Sequence, residues 1–160
     1  MPDTPSDKHV VEAIYSAMAA RDFAALFELV HTECVLTQDE RLPWGGRHVG
    51  HDGIATFGAA LTGAIDSQVT TEALFEANGS VYQFGHTRGT TVASKKTFDV
   101  AEVHTWTIRD GKAIAAHFAI DTEAMLSALS IEGRDYLPRP IARGPPARRY
   151  GSVVVAFAEP

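Results

Sequence analysis

Asp121 is the residue whose type and position best suit proton transfer inside an apolar pocket. It follows a predicted strand, Ala113–Ile120, in which side chains alternate between two faces, and it shares a face with Ala115, His117 and Ala119. Such a face either meets solvent or lines a polar cavity. A carboxylate desolvated in a cavity has a raised pKa, which suits proton abstraction beside a carbonyl. Asp121 would otherwise cap a helix, because Asp-Thr-Glu is a typical helix start, and the two roles are compatible.

His104 offers an imidazole from another predicted strand, Phe98–Ile108. It shares a strand face with Val100, Glu102, Trp106 and Ile108. A histidine there can polarise a carbonyl, shuttle a proton or pair with Asp121 across strands. The large ring of Trp106 favours a pocket wall. The alternative is an exposed face on which Glu102 and His104 are simply solvated.

Tyr15 lies on an apolar stripe of the first predicted helix, together with Val10, Val11, Ile14 and Met18. Its hydroxyl could point into the mouth of a pocket. A tyrosine on such a stripe is more often a core residue with one satisfied hydrogen bond.

The histidines also raise the question of a metal site. Three of them, His86, His104 and His117, fall on predicted strands and could converge on iron or zinc. However, the chain has no zinc-type spacing, and Gly50 interrupts the His48-x-x-His51 pair. It also lacks a glycine-rich phosphate loop and a Gly-x-Ser-x-Gly elbow. We therefore expect no metal and no cofactor.

The bulk composition predicts an ordinary globular protein. The chain has 160 residues, is 45% hydrophobic and has a formal net charge of −6, which argues against nucleic acid or an anionic membrane as the main partner. Cys34 is the only cysteine, so an internal disulfide is impossible. The polar N-terminus resembles no secretory signal, and no run approaches the ~18 apolar residues of a membrane span. We expect a cytoplasmic protein.

Periodicity predicts three helices followed by a meander of strands. The first helix would start at Thr4-Pro5 with Thr4 as its cap, the second would span Phe23–Val30 behind Asp22, and the third would start at Asp52. The predicted strands are Cys34–Thr37, Val69–Ala77, Val81–Val92, Phe98–Ile108 and Ala113–Ile120, with hairpin turns at Asn78-Gly79 and Asp110-Gly111 and a closing helix at Thr122–Leu129. This order predicts an α+β cone: three N-terminal helices packed on a curved antiparallel sheet, with an open mouth as the ligand site.

Charge divides the chain into two units. Residues 1–130 are acidic and form the predicted cone domain, whereas residues 131–160 carry five arginines against three acidic residues. The second unit is predicted to be a Pro/Arg-rich C-terminal arm. Val153–Phe157 at its end could add a strand to a sheet edge.

Several short segments, in this order and spacing, resemble the SnoaL-like polyketide cyclase and ketosteroid isomerase-like group of the nuclear transport factor 2-like superfamily. The resemblance covers about residues 8–130. It rests on Ile14-Tyr15, Arg21-Asp22-Phe23 with Leu26, Leu42–Gly46, Gly50–Ile54, Val103–Trp106, Arg109–Lys112 and the stretch from His117 to Asp121-Thr122.

The resemblance implies roles for individual residues. Asp121 matches the general acid/base of the cyclases, and Tyr15 matches a tyrosine that points into their pocket. His104 stands where ketosteroid isomerases carry an acid that binds the developing oxyanion. The isomerases' catalytic Asp aligns with Gln38, and Asp39 follows one position later, where a solvated loop acid is the simpler interpretation.

The implied function is a cofactor-independent cyclase or isomerase that acts on a hydrophobic, carbonyl-bearing, polyketide-like molecule. The catalytic residues would be Asp121, His104 and Tyr15, and the substrate-binding residues would be Trp44, Phe57, Phe84, His86, Trp106, His117 and Asp39. A dehydratase or epoxide hydrolase using Asp39, His86 and His117 is the first alternative. A non-catalytic ligand-binding or dimerisation module is the second. We expect a homodimer through the sheet face.

Overall fold

The computed structural model describes residues 5–130 of the chain. The predicted arm over residues 131–160, its Val153–Phe157 strand and the capping role of Thr4 lie outside these residues. Within them the chain forms, in order, α1 (Asp7–Ala20), α2 (Phe23–Glu28), β1 (Val30–Gln38), β2 (Gly46–Val49), α3 (Gly50–Ala64), β3 (Ile65–Ala77), β4 (Ser80–Thr91), β5 (Thr97–Arg109), β6 (Lys112–Ile120) and α4 (Thr122–Leu129).

The strands form one curved, open sheet in the order β2-β1-β6-β5-β4-β3, and the helices pack against it. The predicted α+β class and the meander from β3 to β6 are confirmed. One pair differs from the prediction of a wholly antiparallel sheet, because β1 runs parallel to β6. Since β1 is separated from β6 by the whole meander, no local turn signal in the sequence encodes this pairing.

Both predicted hairpin turns are confirmed. Asn78 and Gly79 have φ values of 53° and 73°, and Asp110 and Gly111 have values of 50° and 73°. Two successive left-handed residues make the tight turn whose twist matches that of antiparallel strands. The turns fix the registers of β3 with β4 and of β5 with β6.

The helix boundaries depart slightly from the prediction. The first helix starts at Asp7 rather than Pro5, because the Ser6 side chain caps it by accepting a hydrogen bond from His9 N. Asp22 caps α2 as predicted, but α2 ends at Glu28 because Val30 already belongs to β1. None of the helices within residues 5–130 is long and apolar enough to cross a membrane.

Alternation along the two central strands decides which side chains face the helices. On β5 the inward face carries Phe98, Val100, Glu102, His104, Trp106 and Ile108, all of them buried. On β6 the inward residues are Ala113, Ala116 and Phe118. Cross-strand pairing sets Trp106 beside Ala116 and His104 beside Phe118. The inward face of β5 is therefore the face that the sequence analysis favoured as the inward one. On β6, His117 lies on the opposite face of the sheet, away from the helices.

Gly85 provides a test of the close approach between β3 and β4. A Cβ atom there would lie 2.0 Å from the carbonyl oxygen of Thr70, next to the irregularity in the strand register. We expect Gly85→Ala to lower the free energy of unfolding by about 2 kcal/mol or more through overpacking. Gly63→Ala is the matched control, because a Cβ on this exposed α3 residue meets nothing within 4 Å. It should raise stability by about 0.5–1 kcal/mol. Urea unfolding measures the change in the free energy of unfolding for both variants. Equal changes would contradict the close approach at Gly85.

Candidate active site

A cavity of about 580 Å³ lies between helices α1–α3 and the inward face of the sheet. Its volume is in the range of small-molecule sites. Its walls are mainly apolar and include Met18, Leu26, Phe27, Leu36, Phe57, Leu61, Ala116 and Phe118. The polar side chains among its lining include Tyr15, Thr62, Ser67 and Gln68, and Arg21 is its only charged lining residue within the part of the chain described.

The Tyr15 hydroxyl is tied into a hydrogen-bonded network at the cavity wall. Trp106 Nε1 donates to the Tyr15 oxygen over 2.9 Å, and this oxygen lies 2.7 Å from His104 Nδ1. Burial raises the pKa of Tyr15 well above its ordinary value, so the phenol is neutral in the free protein. The interpretation of Tyr15 as an ordinary core residue therefore accounts for its ring but not for its two polar partners.

His104 stands behind Tyr15, one layer away from the cavity. Its ring stacks on that of Tyr15, with centroids 6.1 Å apart, and contacts Phe118 at 4.2 Å. Its other nitrogen, Nε2, lies 3.3 Å from Glu102 Oε2. His104 lies on the inward face of β5, as predicted, and the solvated alternative is wrong, since only 4% of the residue is exposed. The prediction that it lines the pocket itself is wrong, because the cavity lining includes Tyr15 and Trp106 but not His104.

Glu102 is the member of this network whose importance the sequence did not reveal. Its side chain is fully buried, and Thr87 donates a hydrogen bond to the same oxygen that faces His104. Burial acts to raise the pKa of Glu102, but interactions with His104, Thr87 and Gln83 outweigh it and leave the pKa lowered. The available signal was its position two residues before His104 on an otherwise apolar strand face.

The partners determine where the protons lie. An ionised Glu102 can only accept a proton, and His104 Nε2 lies 3.3 Å from its Oε2, so we assign the proton of a neutral His104 to Nε2. With the imidazole neutral, Nδ1 is an acceptor and Tyr15 O–H donates to it. The result is a buried chain, Tyr15–His104–Glu102, whose Tyr15 end meets the cavity.

Asp121 does not belong to this chain. The residue is exposed, it is absent from the cavity lining, and its carboxylate accepts a hydrogen bond from Ala124 N as the cap of α4. On β6 the inward residues are Ala116 and Phe118, so Asp121 continues the outward set that includes His117. The helix-capping alternative is confirmed. The partners that the structure gives His104 are Tyr15 and Glu102, not Asp121.

Of the predicted wall residues, Phe57 and Trp106 line the cavity. Trp44 is instead a core residue whose Nε1 donates to Gln38 Oε1 over 3.0 Å. Asp39 lies in the loop after β1 and binds Arg41. Partial burial acts to raise the pKa of Asp39, but the hydrogen bonds from Arg41 dominate and lower it. Both Trp44 and Asp39 are therefore corrections to the predicted binding set.

Three further predicted binding residues lie on the outward face of the sheet. Phe84 is 41% exposed, and His86 binds Asp99 at 2.5 Å. His117 Nδ1 lies 2.7 Å from Thr37 Oγ1, and desolvation, followed by the charge of His104, lowers the pKa of His117. These residues were misplaced because alternation defines two strand faces but does not say which one is inward.

The remaining reactive side chains have structural roles. Within residues 5–130 no group of three or more His, Cys, Asp or Glu residues could hold a metal ion. His48 and His51 each bind backbone carbonyl oxygens through Nε2. Cys34 lines the cavity, where burial raises the pKa of its thiol to about 11 and keeps it protonated.

Known structures share this architecture. An NTF2-like protein of unknown function from Burkholderia pseudomallei superposes with a TM-score of 0.71 at 21% identity, over 76% of this chain and 95% of that one. TerC, co-crystallised with polyporic acid, superposes with a TM-score of 0.70 at 26% identity, over 76% of this chain and 95% of that one. A putative SnoaL-like polyketide cyclase from Shewanella denitrificans superposes with a TM-score of 0.64 at 16% identity, over 78% of this chain and 97% of that one.

The fold is therefore that of the NTF2-like proteins. Within this class the pattern of the SnoaL-like domain family matches residues 11–117, and the chain belongs to that family. No curated protein matches the chain significantly.

The capping role of Asp121 leads to a stability prediction. We expect Asp121→Ala to lower the free energy of unfolding by about 1 kcal/mol, because the first turn of α4 loses its side-chain acceptor. Asp121→Asn should remain close to wild type, since asparagine caps as well as aspartate does. Thermal unfolding at a fixed pH measures both. If Asp121→Asn lost as much stability as Asp121→Ala, the account of the cap would be incorrect.

Proposed function

We propose that the protein is a cofactor-independent enzyme of the cyclase or isomerase type. It moves a proton on a hydrophobic, carbonyl-bearing, polyketide-like molecule, and Tyr15 with His104 is the proton-transferring pair. One observation carries the proposal: a tyrosine hydroxyl at the wall of an apolar cavity of about 580 Å³ is hydrogen-bonded to a buried histidine at 2.7 Å.

The pair can work as a relay in both directions. Tyr15 oxygen accepts a proton from the carbon next to the substrate carbonyl while its own proton passes to His104 Nδ1. The raised pKa of Tyr15 means that no free tyrosinate accumulates, so the two transfers are coupled. The imidazolium that forms lies beside the Glu102 carboxylate, which stabilises it.

Return of the proton completes either reaction type. Delivery to a different carbon of the enolate gives an isomer. If the enolate carbon first attacks a second carbonyl within the same molecule, the returned proton neutralises the new alkoxide and a ring has closed. Both sequences leave the protons and electrons of the protein unchanged, so Tyr15 and His104 suffice for them.

The apolar wall supports this chemistry. Leu36, Ala116 and Phe118 surround the reacting region with low-dielectric material, in which the electrostatic attraction between the His104 imidazolium that forms and a developing oxyanion is stronger than in water. The wall also favours a hydrophobic substrate. Membership of the SnoaL-like family and the structural likeness to putative polyketide cyclases support a polyketide-like one.

The alternative of dehydration or epoxide hydration has less support. It was based on Asp39, His86 and His117, and the cavity lining includes none of the three. These side chains bind Arg41, Asp99 and Thr37 instead. Proton transfer through Tyr15 is therefore the chemistry that this site supports best.

Exchange of the α-protons of 2-tetralone in D₂O tests the shared proton-abstraction step. Wild-type protein should accelerate exchange over buffer, and Tyr15→Phe should lower the enzymatic rate by roughly 10²–10⁴-fold, because the phenyl ring fills the same space without a proton to transfer. NMR follows the loss of the α-proton signal.

Two controls make that result specific. Tyr82→Phe removes a hydroxyl from the outward face of β4, and Asp121→Asn removes the carboxylate that the family resemblance favours. Both should remain within a few-fold of wild type. A large loss in Asp121→Asn with little change in Tyr15→Phe would move the catalytic role back to Asp121.

We also propose that the outward sheet face pairs with a second copy of the chain. Phe75 and Phe84 are 57% and 41% exposed there and pack edge to face at 5.7 Å. Beside them, Arg88 and His86 bind Asp99. Because the face carries both charge signs around an apolar centre, it is complementary to itself, as a two-fold interface requires.

Sedimentation velocity tests this pairing. Wild-type protein should sediment as a dimer, and Phe84→Glu should shift it to a monomer by placing a charge at the apolar centre of the interface. Val92→Glu is the matched control, because Val92 is equally exposed at 41% but lies in the turn after β4. A monomeric wild type, or equal effects of the two variants, would exclude this interface.

A further inference from the structure

Arg21 is the one charged side chain in the cavity lining among residues 5–130, and the proposed proton transfer does not use it. Its charge is positive, although the chain as a whole has a net charge of −6. The Arg21 side chain is 56% exposed, whereas Trp106 and Phe118 in the same lining are buried. Exposed lining residues lie where a cavity opens to water. Arg21 therefore stands at the mouth, and Trp106, which donates to Tyr15, lies deep within.

Neither the helix end nor the ion pair of Arg21 accounts for an arginine at this position. Arg21 is the C-cap of α1 in the left-handed conformation, with a φ of 54°, where glycine is favoured because it has no Cβ. Its guanidinium Nη2 lies 3.3 Å from Asp66 Oδ1, and the Asp66 side chain is 82% exposed. Ion pairs this exposed contribute little to stability. The arginine side chain therefore needs another role.

The surroundings of Arg21 suit an anion on an apolar body. A guanidinium has five N–H donors, and among residues 5–130 one side chain, Asp66, accepts from it, through Nη2 alone. The remaining donors can bind both oxygens of a carboxylate. Phe23, two residues further on, presents an exposed aromatic ring in the same lining. Ser67 and Gln68, which follow Asp66 on β3, add a hydroxyl and an amide to the lining.

Helix α1 sets the spacing between this mouth and the proton-transferring group. Tyr15 and Arg21 are six residues apart, which corresponds to about 9 Å along the helix axis at 1.5 Å per residue. A ligand that contacts both side chains therefore carries its two polar groups at opposite ends. The apolar wall between them favours rings as the connecting body.

We propose that Arg21 is a specificity-determining residue that binds a carboxylate, and that the substrate is a keto acid. Its reacting carbonyl lies beside Tyr15, and its carboxylate lies about 9 Å away at the mouth of the cavity. This inference rests on the proposed function only for the position of the carbonyl.

Two probes that differ in one charge test the proposal. 6-Acetyl-2-naphthoate and 6-acetyl-2-naphthamide share a ketone and a naphthalene body, and at the far end a carboxylate replaces a neutral amide of the same shape. In low salt, wild-type protein should bind the carboxylate about tenfold tighter. This preference should shrink as the ionic strength rises from about 0.01 M to about 1 M, because ions screen a charge at an exposed mouth. Calorimetric titration at pH 7.5 measures both affinities.

Variants identify the residue responsible. Arg21→Gln should abolish the preference, and Arg21→Lys should retain part of it, because an ammonium group keeps the charge without the planar fork. Arg109→Gln is the matched control. It removes the same charge from the exposed end of β5, outside the cavity lining, and should keep the wild-type preference.

A variant of the competing acid should act in the opposite direction. Asp66→Asn releases the guanidinium and should raise the preference for the carboxylate by about two- to fivefold. Damage to the fold cannot produce such a gain. The rise should be absent when Asp66→Asn is combined with Arg21→Gln, because it acts through the arginine.

The outcomes separate this inference from the proposed function, because binding is measured without turnover. A carboxylate preference that depends on Arg21, in a protein that does not exchange the α-protons of 2-tetralone, would support the inference and contradict the proposed function alone. Equal binding of the two probes by wild type, or equal weakening of both in Arg21→Gln, would overturn the inference even in an active enzyme. Failure of both probes to bind would also overturn it, since it requires the ligand in the cavity.

Discussion

The hydrogen bond between the Tyr15 hydroxyl and His104 Nδ1 joins helix α1 to the centre of the sheet in a mainly apolar interior. A buried polar group without a partner costs about 1–3 kcal/mol, so each member of the network requires the next. Tyr15 requires His104, and His104 requires Glu102. This network ties α1 to β5, and it places the Tyr15 hydroxyl proton at the cavity wall.

The surrounding elements position the Tyr15 proton for transfer. The pairing of β5 with β6 places His104 beside Phe118 and Trp106 beside Ala116. The same strand register therefore positions the polar His104 side chain and the apolar Phe118 side chain next to it. Trp106 both lines the cavity and donates to Tyr15. Helices α2 and α3 hold the cavity open on the opposite side. The apolar cavity therefore has at its wall a hydroxyl that is hydrogen-bonded to an imidazole, which is the arrangement that acid–base chemistry on a hydrophobic substrate needs.

The sequence predicted the elements well because hairpin turns and alternation are local signals. Asn78-Gly79 and Asp110-Gly111 set two registers, and the varied face of β5 correctly placed His104 and Trp106 inward. The site was harder to predict. On β6 the polar face proved to be the outward one, which removed His117 from the cavity. Glu102 was overlooked because a glutamate beside a histidine resembles a solvated surface, and its burial arises only in the folded structure.

A crystal structure of the protein with bound 2-acetylnaphthalene would test the central claim most directly. The account predicts the naphthalene rings against Phe118 and the ketone oxygen about 2.5–3.0 Å from the Tyr15 hydroxyl. A ketone oxygen turned toward Arg21 instead of Tyr15, or a ligand bound outside the cavity beside Asp121, would contradict it.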